Sequence, residues 1–244
     1  MNVKAIIFDL HHTITRTKKS ALAVFKEIAI SVGINLEGIT DKEIKDAFRK
    51  SDNWLSEYCI RENVEPHWGH EPSDWIEADR IIFKELGFTK IEKDIIINLE
   101  KRFKYETRET DYEMLTEDAK ETLEILHKEG YAIGICTRRH DNPTSFLKRS
   151  NVLHLIDAVT WSGVKGYAKP NPFTLLQAAD ILKVNPKLCA FVGNYVDVDV
   201  KASIRAGMIP ILVTWANPEE KDKAPEGTIV INSPRDLLPV LGLN

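Results

Sequence analysis

The chain has 244 residues, of which 43% are hydrophobic and 29% charged, a globular composition rather than a disordered one. Its 33 Lys and Arg against 37 Asp and Glu leave a net charge of −4. Charge alone therefore excludes a strong general pull towards nucleic acid or an anionic membrane.

Residues 3–8 are apolar on both faces and end at Asp9. That pattern predicts a buried strand of a parallel sheet. Residues 16–112 read differently, as helices with no convincing buried strand. Leu22, Phe25, Ala29 and Val32 share one helix face. Thr40 and Glu43 form a capping-box pair for a second helix. Trp75, Ala78, Ile82 and Leu86 mark a third, and residues 91–103 carry a fourth. Between helices lies a loop with His67, Trp68, Gly69 and His70, which either reads a substrate or packs on the surface. Thr116 is placed to cap a helix that Gly130 closes. Apolar runs then recur at residues 131–136, 156–161, 189–192, 209–213 and 228–231. Pro172 suits the first position of a helix reaching Leu182, and residues 199–206 make another before Gly207. Strands alternating with helices predict a doubly wound, Rossmann-like α/β fold with a parallel sheet. The domains expected are an α/β core from residues 1–15 and 113–244, and an all-helical insertion from residues 16–112.

Cys59, Cys136 and Cys189 are an odd count, far apart and without a CxxC pair. That argues against a disulfide framework and fits a reducing compartment. The N-terminal apolar run is too short for a signal-peptide core, and no stretch approaches the roughly 18 apolar residues of a membrane span. A cytoplasmic protein without a nucleic-acid or membrane partner is the expectation.

In open α/β sheets, ligands bind at the carboxyl ends of the strands. Asp9 ends the first strand there, and Thr137, Arg138 and Arg139 end the second. Lys169 follows the third, and Asn194, Asp197 and Asp199 follow the fourth. Together they could form a nucleophile, an anion cradle and a divalent-metal site. Adjacent arginines are often a solvated face, but one could neutralise a substrate anion.

These four segments, FDLHHT, ICTRR, GYAKPNP and FVGNYVDVD, resemble in order the four motifs of the haloacid dehalogenase-like hydrolase superfamily. The resemblance covers about residues 1–15 and 113–215, and the helical insertion falls where that family places its cap. It implies Asp9 as nucleophile through a covalent aspartyl intermediate. It implies Thr137 and Lys169 as ligands of the phosphoryl oxygens; Arg138, of the adjacent arginines, is the candidate for a further substrate contact. It also implies Mg²⁺ held by Asp9, the His11 main-chain carbonyl and Asn194, with waters held by Asp199 or Asp197. Asp197 is the one expected to be solvated. Two positions depart from the family pattern. His11 stands where the second acid of the first motif, the proton donor and acceptor, is usual. Asn194 stands where the fourth motif has a metal-binding Asp, which should weaken Mg²⁺ affinity.

The resemblance implies a Mg²⁺-dependent phosphatase of a small anionic metabolite, with the insertion closing over the site. The alternatives are a metal-independent 2-haloacid dehalogenase, since that branch also lacks the second acid, and a catalytically weak ligand-binding member. The substrate and the oligomeric state are not legible.

Overall fold

The computed structural model describes residues 2–63, 71–139, 142–163 and 167–243. Among them lie eight strands: β1 (Ala5–Phe8), β2 (Thr15–Thr17), β3 (Glu113–Leu115), β4 (Ala132–Thr137), β5 (Ala158–Trp161), β6 (Cys189–Gly193), β7 (Ile209–Val213) and β8 (Ile229–Ile231). The helices in chain order are α1 (Ala21–Ser31), α2 (Asp41–Arg61), α3 (Ile76–Glu85), α4 (Lys93–Lys104), α5 (Ala119–Lys128), α6 (Thr144–Arg149), α7 (Phe173–Leu182), α8 (Lys201–Ala206) and α9 (Leu237–Leu241). They divide into two compact units, Met1–Arg16 with Met114–Asn244, and Thr17–Glu113.

The first unit is built on a six-stranded sheet in the order β5-β4-β1-β6-β7-β8, with parallel pairing throughout. Each of the six apolar runs read from the sequence contributes one strand. Successive side chains of a strand point to opposite faces, so a strand covered on both sides is apolar at every position. Ile6 and Phe8 join the cluster that includes Leu123 and Leu126 of α5 and Leu237 of α9. Ala5 and Ile7 face the other way, towards Leu175 and Ala178 of α7 and Ala202 of α8. The sheet is therefore wound on both faces. Its strand order turns at β1, which pairs with β4 on one side and β6 on the other. A crevice at the carboxyl end of β1 is the consequence.

Helix ends follow local chemistry, with differences from the sequence reading; Pro172, for example, caps α7, which starts at Phe173. The helix predicted to start at Thr116 starts at Ala119 instead, with Asp118 in the cap position. The Thr116 hydroxyl is buried without a partner among the described residues, and Asp118 accepts the main-chain N–H of Arg235 at 2.9 Å. The helix expected from residue 199 begins in a π-turn, Val196–Val200, before α8, and Gly207 closes it at φ 70°.

The second unit is helical, and its core gathers Phe25 and Ala29 of α1, Ile44 of α2, Phe83 of α3 and Ile96 of α4. Ser20 caps α1, and Thr40 and Glu43 exchange the capping-box bonds at the start of α2. The short strands β2 and β3 pair with each other where the chain passes between the units. With three residues each they carry too little periodicity to be read from sequence. The loop holding His67, Trp68, Gly69 and His70 lies outside the described residues. No described helix is long and apolar enough to cross a membrane.

Candidate active site

The crevice at β1 collects the polar residues of four loops. Asp9 leaves the strand with its amide bonded to Val192 of β6 at 2.9 Å, which fixes its backbone beside both neighbouring strands. Its side chain is buried. Lys169, between β5 and α7, is buried more deeply and lies 2.7 Å from Asp9 Oδ1 and 2.7 Å from Asp199 Oδ1. Its third contact is the Cys136 carbonyl at 3.1 Å. An ammonium has three protons, and all three are engaged here. Burial alone would lower the Lys169 pKa, but Asp199 and then Asp9 reverse the effect, and it lies above its ordinary value. The ammonium therefore stays charged throughout the neutral range.

Asp199 folds back over the end of β6. Besides Lys169, it accepts the main-chain N–H groups of Asn194 at 3.1 Å and Tyr195 at 3.0 Å through Oδ2. Burial pushes its carboxyl up from the usual carboxylate range, against the pull of Lys169. Gly193 makes this fold-back possible. A Cβ there would overlap Asp199 Cβ and Cγ and lie 2.8 Å from its Oδ2.

Thr13 joins the turn after β1 to the loop after β6. Its hydroxyl lies 3.2 Å from Asp9 Oδ2 and 3.3 Å from Asn194 Oδ1. One hydroxyl proton cannot serve both. With the proton on Asp9, Asn194 keeps its bond only by presenting its amide N–H to the Thr13 oxygen, which frees its carbonyl. The Asn194 Nδ2 group is indeed buried with no partner among the described residues. In either orientation, this buried amide leaves one polar atom for a further ligand.

The remaining candidates spread outward. Thr137 ends β4 and is buried, whereas Arg138 is exposed. Arg139 is half-buried, with its guanidinium 5.5 Å from the centre of the Phe146 ring. Asp197 is exposed and paired with Lys201 at 2.6 Å, so it points away from the buried group. His11 is exposed, and its ring meets that of His12 edge-on at 4.1 Å. Cys136 and Cys189 are free thiols, both raised in pKa by burial.

Three neighbours were not singled out by the sequence reading: Thr13, His12 and Trp215. His12 adopts φ 59°, a conformation that suits glycine, and the resembled motif carries Gly-Thr at residues 12 and 13. That difference was a readable signal of a constrained turn. Burial, and then the charge of His11, lower the His12 pKa from the usual imidazole value. The indole N–H of Trp215 donates to the Thr13 carbonyl at 3.0 Å, and its ring lies 6.0 Å from that of His12. Trp215 is 202 residues from Thr13, so no sequence pattern links them.

Comparison with known proteins agrees with this geometry. The chain is 24% identical to glyceraldehyde 3-phosphate phosphatase of Methanopyrus kandleri, over 98% of this chain and 97% of that protein. In three dimensions it is similar to a 2-haloacid dehalogenase of Pseudomonas syringae, with TM-score 0.66, 20% identity and coverage of 98% of each chain. It is equally similar to YfnB of Bacillus subtilis, solved bound to magnesium, with TM-score 0.66, 15% identity and coverage of 99% of each chain. These structural likenesses establish the fold. The family model for haloacid dehalogenase-like hydrolases matches residues 3–207, and the chain belongs to that hydrolase family.

Proposed function

We propose that the protein is a Mg²⁺-dependent phosphatase of a small phosphorylated metabolite, acting through an aspartyl-phosphate on Asp9. The observation that carries this reading is the buried Asp9 carboxylate, held on one oxygen by Lys169 and met on the other by the Thr13 hydroxyl, which also reaches Asn194. Two carboxylates and one ammonium leave this group one net negative charge. A phosphate dianion approaching Asp9 would be repelled unless further positive charge were present. Magnesium, when bound, would supply that charge beside the phosphoryl oxygens.

The residues suit such an ion in number and hardness, though modestly. Asp9 Oδ2 and the Asn194 amide reach the same hydroxyl, and the His11 main-chain carbonyl is two residues from Asp9. No group of three His, Cys, Asp or Glu among the described residues forms a ready cluster. Asp9, Asn194 and the His11 carbonyl would hold the ion, with water completing its shell. Both Asp199 oxygens are engaged, so Asp199 would act from outside that shell, by holding Lys169 and the Asn194 backbone.

In the reaction, an Asp9 oxygen attacks phosphorus, an O–P bond forms, and the ester O–P bond breaks. The departing oxygen takes a proton from His11. Water then attacks the same phosphorus and gives its proton to His11, releasing phosphate and restoring the Asp9 carboxylate. Thr137 would bond a phosphoryl oxygen, and exposed Arg138 would meet a further substrate anion. Lys169 would contribute mainly as a fixed charge. To donate to substrate it must release one of its three acceptors, of which Cys136 at 3.1 Å is the longest.

A second reading is a metal-independent 2-haloacid dehalogenase. The direct Lys169–Asp9 contact and the missing second acid favour it. Purified protein and Asp9→Asn assayed on phosphate esters and 2-haloacids, with Mg²⁺ and with chelator, decide between them. Phosphate release needing both Mg²⁺ and Asp9 is expected, with a loss of at least about 10³-fold in Asp9→Asn. Halide release in chelator refutes the phosphatase reading. Absence of turnover on either panel refutes both, and a phosphorylated ligand that still raises the melting temperature then identifies a binding member.

A further inference from the structure

We infer that Glu220 is a positioning residue for this site, fixing the turn that presents Asn194; the inference rests on the reading of Asn194 as a site residue. Glu220 lies in the 3₁₀ helix Pro218–Lys223, which follows β7. It is 5% exposed, unusual for a glutamate. Its carboxylate accepts the main-chain N–H of Val196 at 2.8 Å and the Lys223 ammonium at 2.5 Å.

The Val196 amide is the last of three in a row that end on carboxylates. Asp199 accepts the amides of Asn194 and Tyr195, and Glu220 accepts that of Val196. The two acids differ in what they fix. Asp199 belongs to the π-turn itself, so its bonds set the internal shape of the turn. Glu220 comes from a different segment, 24 residues on, and its bond ties the turn to the frame beyond β7. Without it, the turn can pivot as a unit about the end of β6, carrying Asn194 with it. Asn194 meets Thr13 at only 3.3 Å, near the limit of a hydrogen bond, so a small pivot breaks that contact.

Local electrostatics fit the same role. Lys223 is half exposed and pairs with Glu220 from the rim, opposite the Val196 amide. A surface glutamate would not hold a main-chain amide in this way.

The test compares Glu220→Gln, Glu220→Leu and Glu220→Asp in the full chain. Gln keeps an oxygen for the Val196 amide, Leu removes it at similar volume, and Asp withdraws it by one methylene. In Glu220→Leu, amide exchange at Val196 should quicken at least about tenfold. The side-chain amide resonances of Asn194 should also shift. The kcat for phosphate-ester hydrolysis should fall up to about 10²-fold, the scale of a misplaced group. Glu220→Gln should restore the Val196 protection, the Asn194 resonances and most of kcat. If Glu220→Leu lowers the melting temperature but leaves the Val196 and Asn194 signals as in wild type, the inference is overturned. Should Glu220→Leu not fold, Gln and Asp decide, and identical signals in both overturn it. A wild type that releases no phosphate sinks the phosphatase reading alone, because the amide signals still judge Glu220.

Discussion

Lys169→Met removes the cation bonded to the buried Asp9 and Asp199 carboxylates while keeping most of the side-chain volume. The Lys169 side chain is 1% exposed, and those of Asp9 and Asp199 are 9% and 3% exposed. Removing one partner of a buried ion pair costs about 3–5 kcal/mol, because the other charge is left without compensation. Here two carboxylates lose the same cation, so the upper end of that range is expected. The cost has a definite pH dependence. In the variant, burial and mutual repulsion raise the folded-state carboxyl pKa values above the unfolded values near 4. The penalty is full above the raised values and fades as pH falls through them, by about 1.4 kcal/mol per pH unit for each proton taken up. The stability gap between wild type and variant should therefore be largest near pH 8 and smaller at pH 5. In the wild type, the raised Lys169 pKa contributes stability that is complete below its unfolded value of 10.5 and is lost as pH rises through the folded value. Native-state hydrogen exchange at the amides of β1 and β6 reads this unit separately from the helical one. The double variant Lys169→Met/Asp199→Asn buries one unpaired carboxylate instead of two, so it should cost less than the sum of the singles by more than about 1 kcal/mol. A gap under 1 kcal/mol, a gap that does not change between pH 5 and 8, or additive singles would refute the reasoning.

Two further substitutions probe the fourth loop. Gly193→Ala places a methyl group against Asp199, so the cost should be about 1–3 kcal/mol in chemical denaturation, with loss of the Asp199 bonds to residues 194 and 195 and a fall in turnover; unchanged stability would mean that Asp199 need not lie across the strand end. Asn194→Asp adds a carboxylate beside Asp9, so melting temperature should fall in chelator, and the rise on adding Mg²⁺ should exceed that of wild type by about 1.4 kcal/mol of binding, a tenfold tighter site. Equal Mg²⁺ shifts in the two proteins would exclude residue 194 from metal binding.

The core was legible because the strands of a doubly covered parallel sheet are apolar on both faces. That pattern survives in isolation at residues 3–8 as well as at 189–192. That Asp9, Lys169, Asn194 and Asp199 come together was legible because they stand at or in the loops after such strands, where the fold brings strand ends together. What was not legible depends on contacts between distant segments. Thr116 matched a helix cap in type, but Asp118 holds the cap position and the Arg235 amide, 117 residues away. The indole of Trp215 and the carboxylate of Glu220 are ordinary loop residues in sequence, and their partners become visible only once β1, β6 and β7 lie side by side. Thr13 was within the first motif, but its second contact, to Asn194, lies across 181 residues.

The two departures from the family motifs act in the same electrostatic direction. His11 and Asn194 each replace a carboxylate that would stand close to Asp9. At about 4 Å and an effective dielectric near 20, each such neighbour would oppose the Asp9 charge by about 4 kcal/mol. A site with all four acids and one lysine would carry a net charge of three negatives and would depend on a cation even to remain folded. The group found here carries one. It can stay assembled around Lys169 alone, as the 2.7 Å contacts to Asp9 and Asp199 describe. On the proposed reading, the same saving would weaken the hold on a divalent ion, since Asn194 offers a dipole in place of a charge. Stability without metal and weak affinity for it would thus be two consequences of one change in charge. The response of Asn194→Asp to chelator and to Mg²⁺ must consequently move in opposite directions if the charge argument is right.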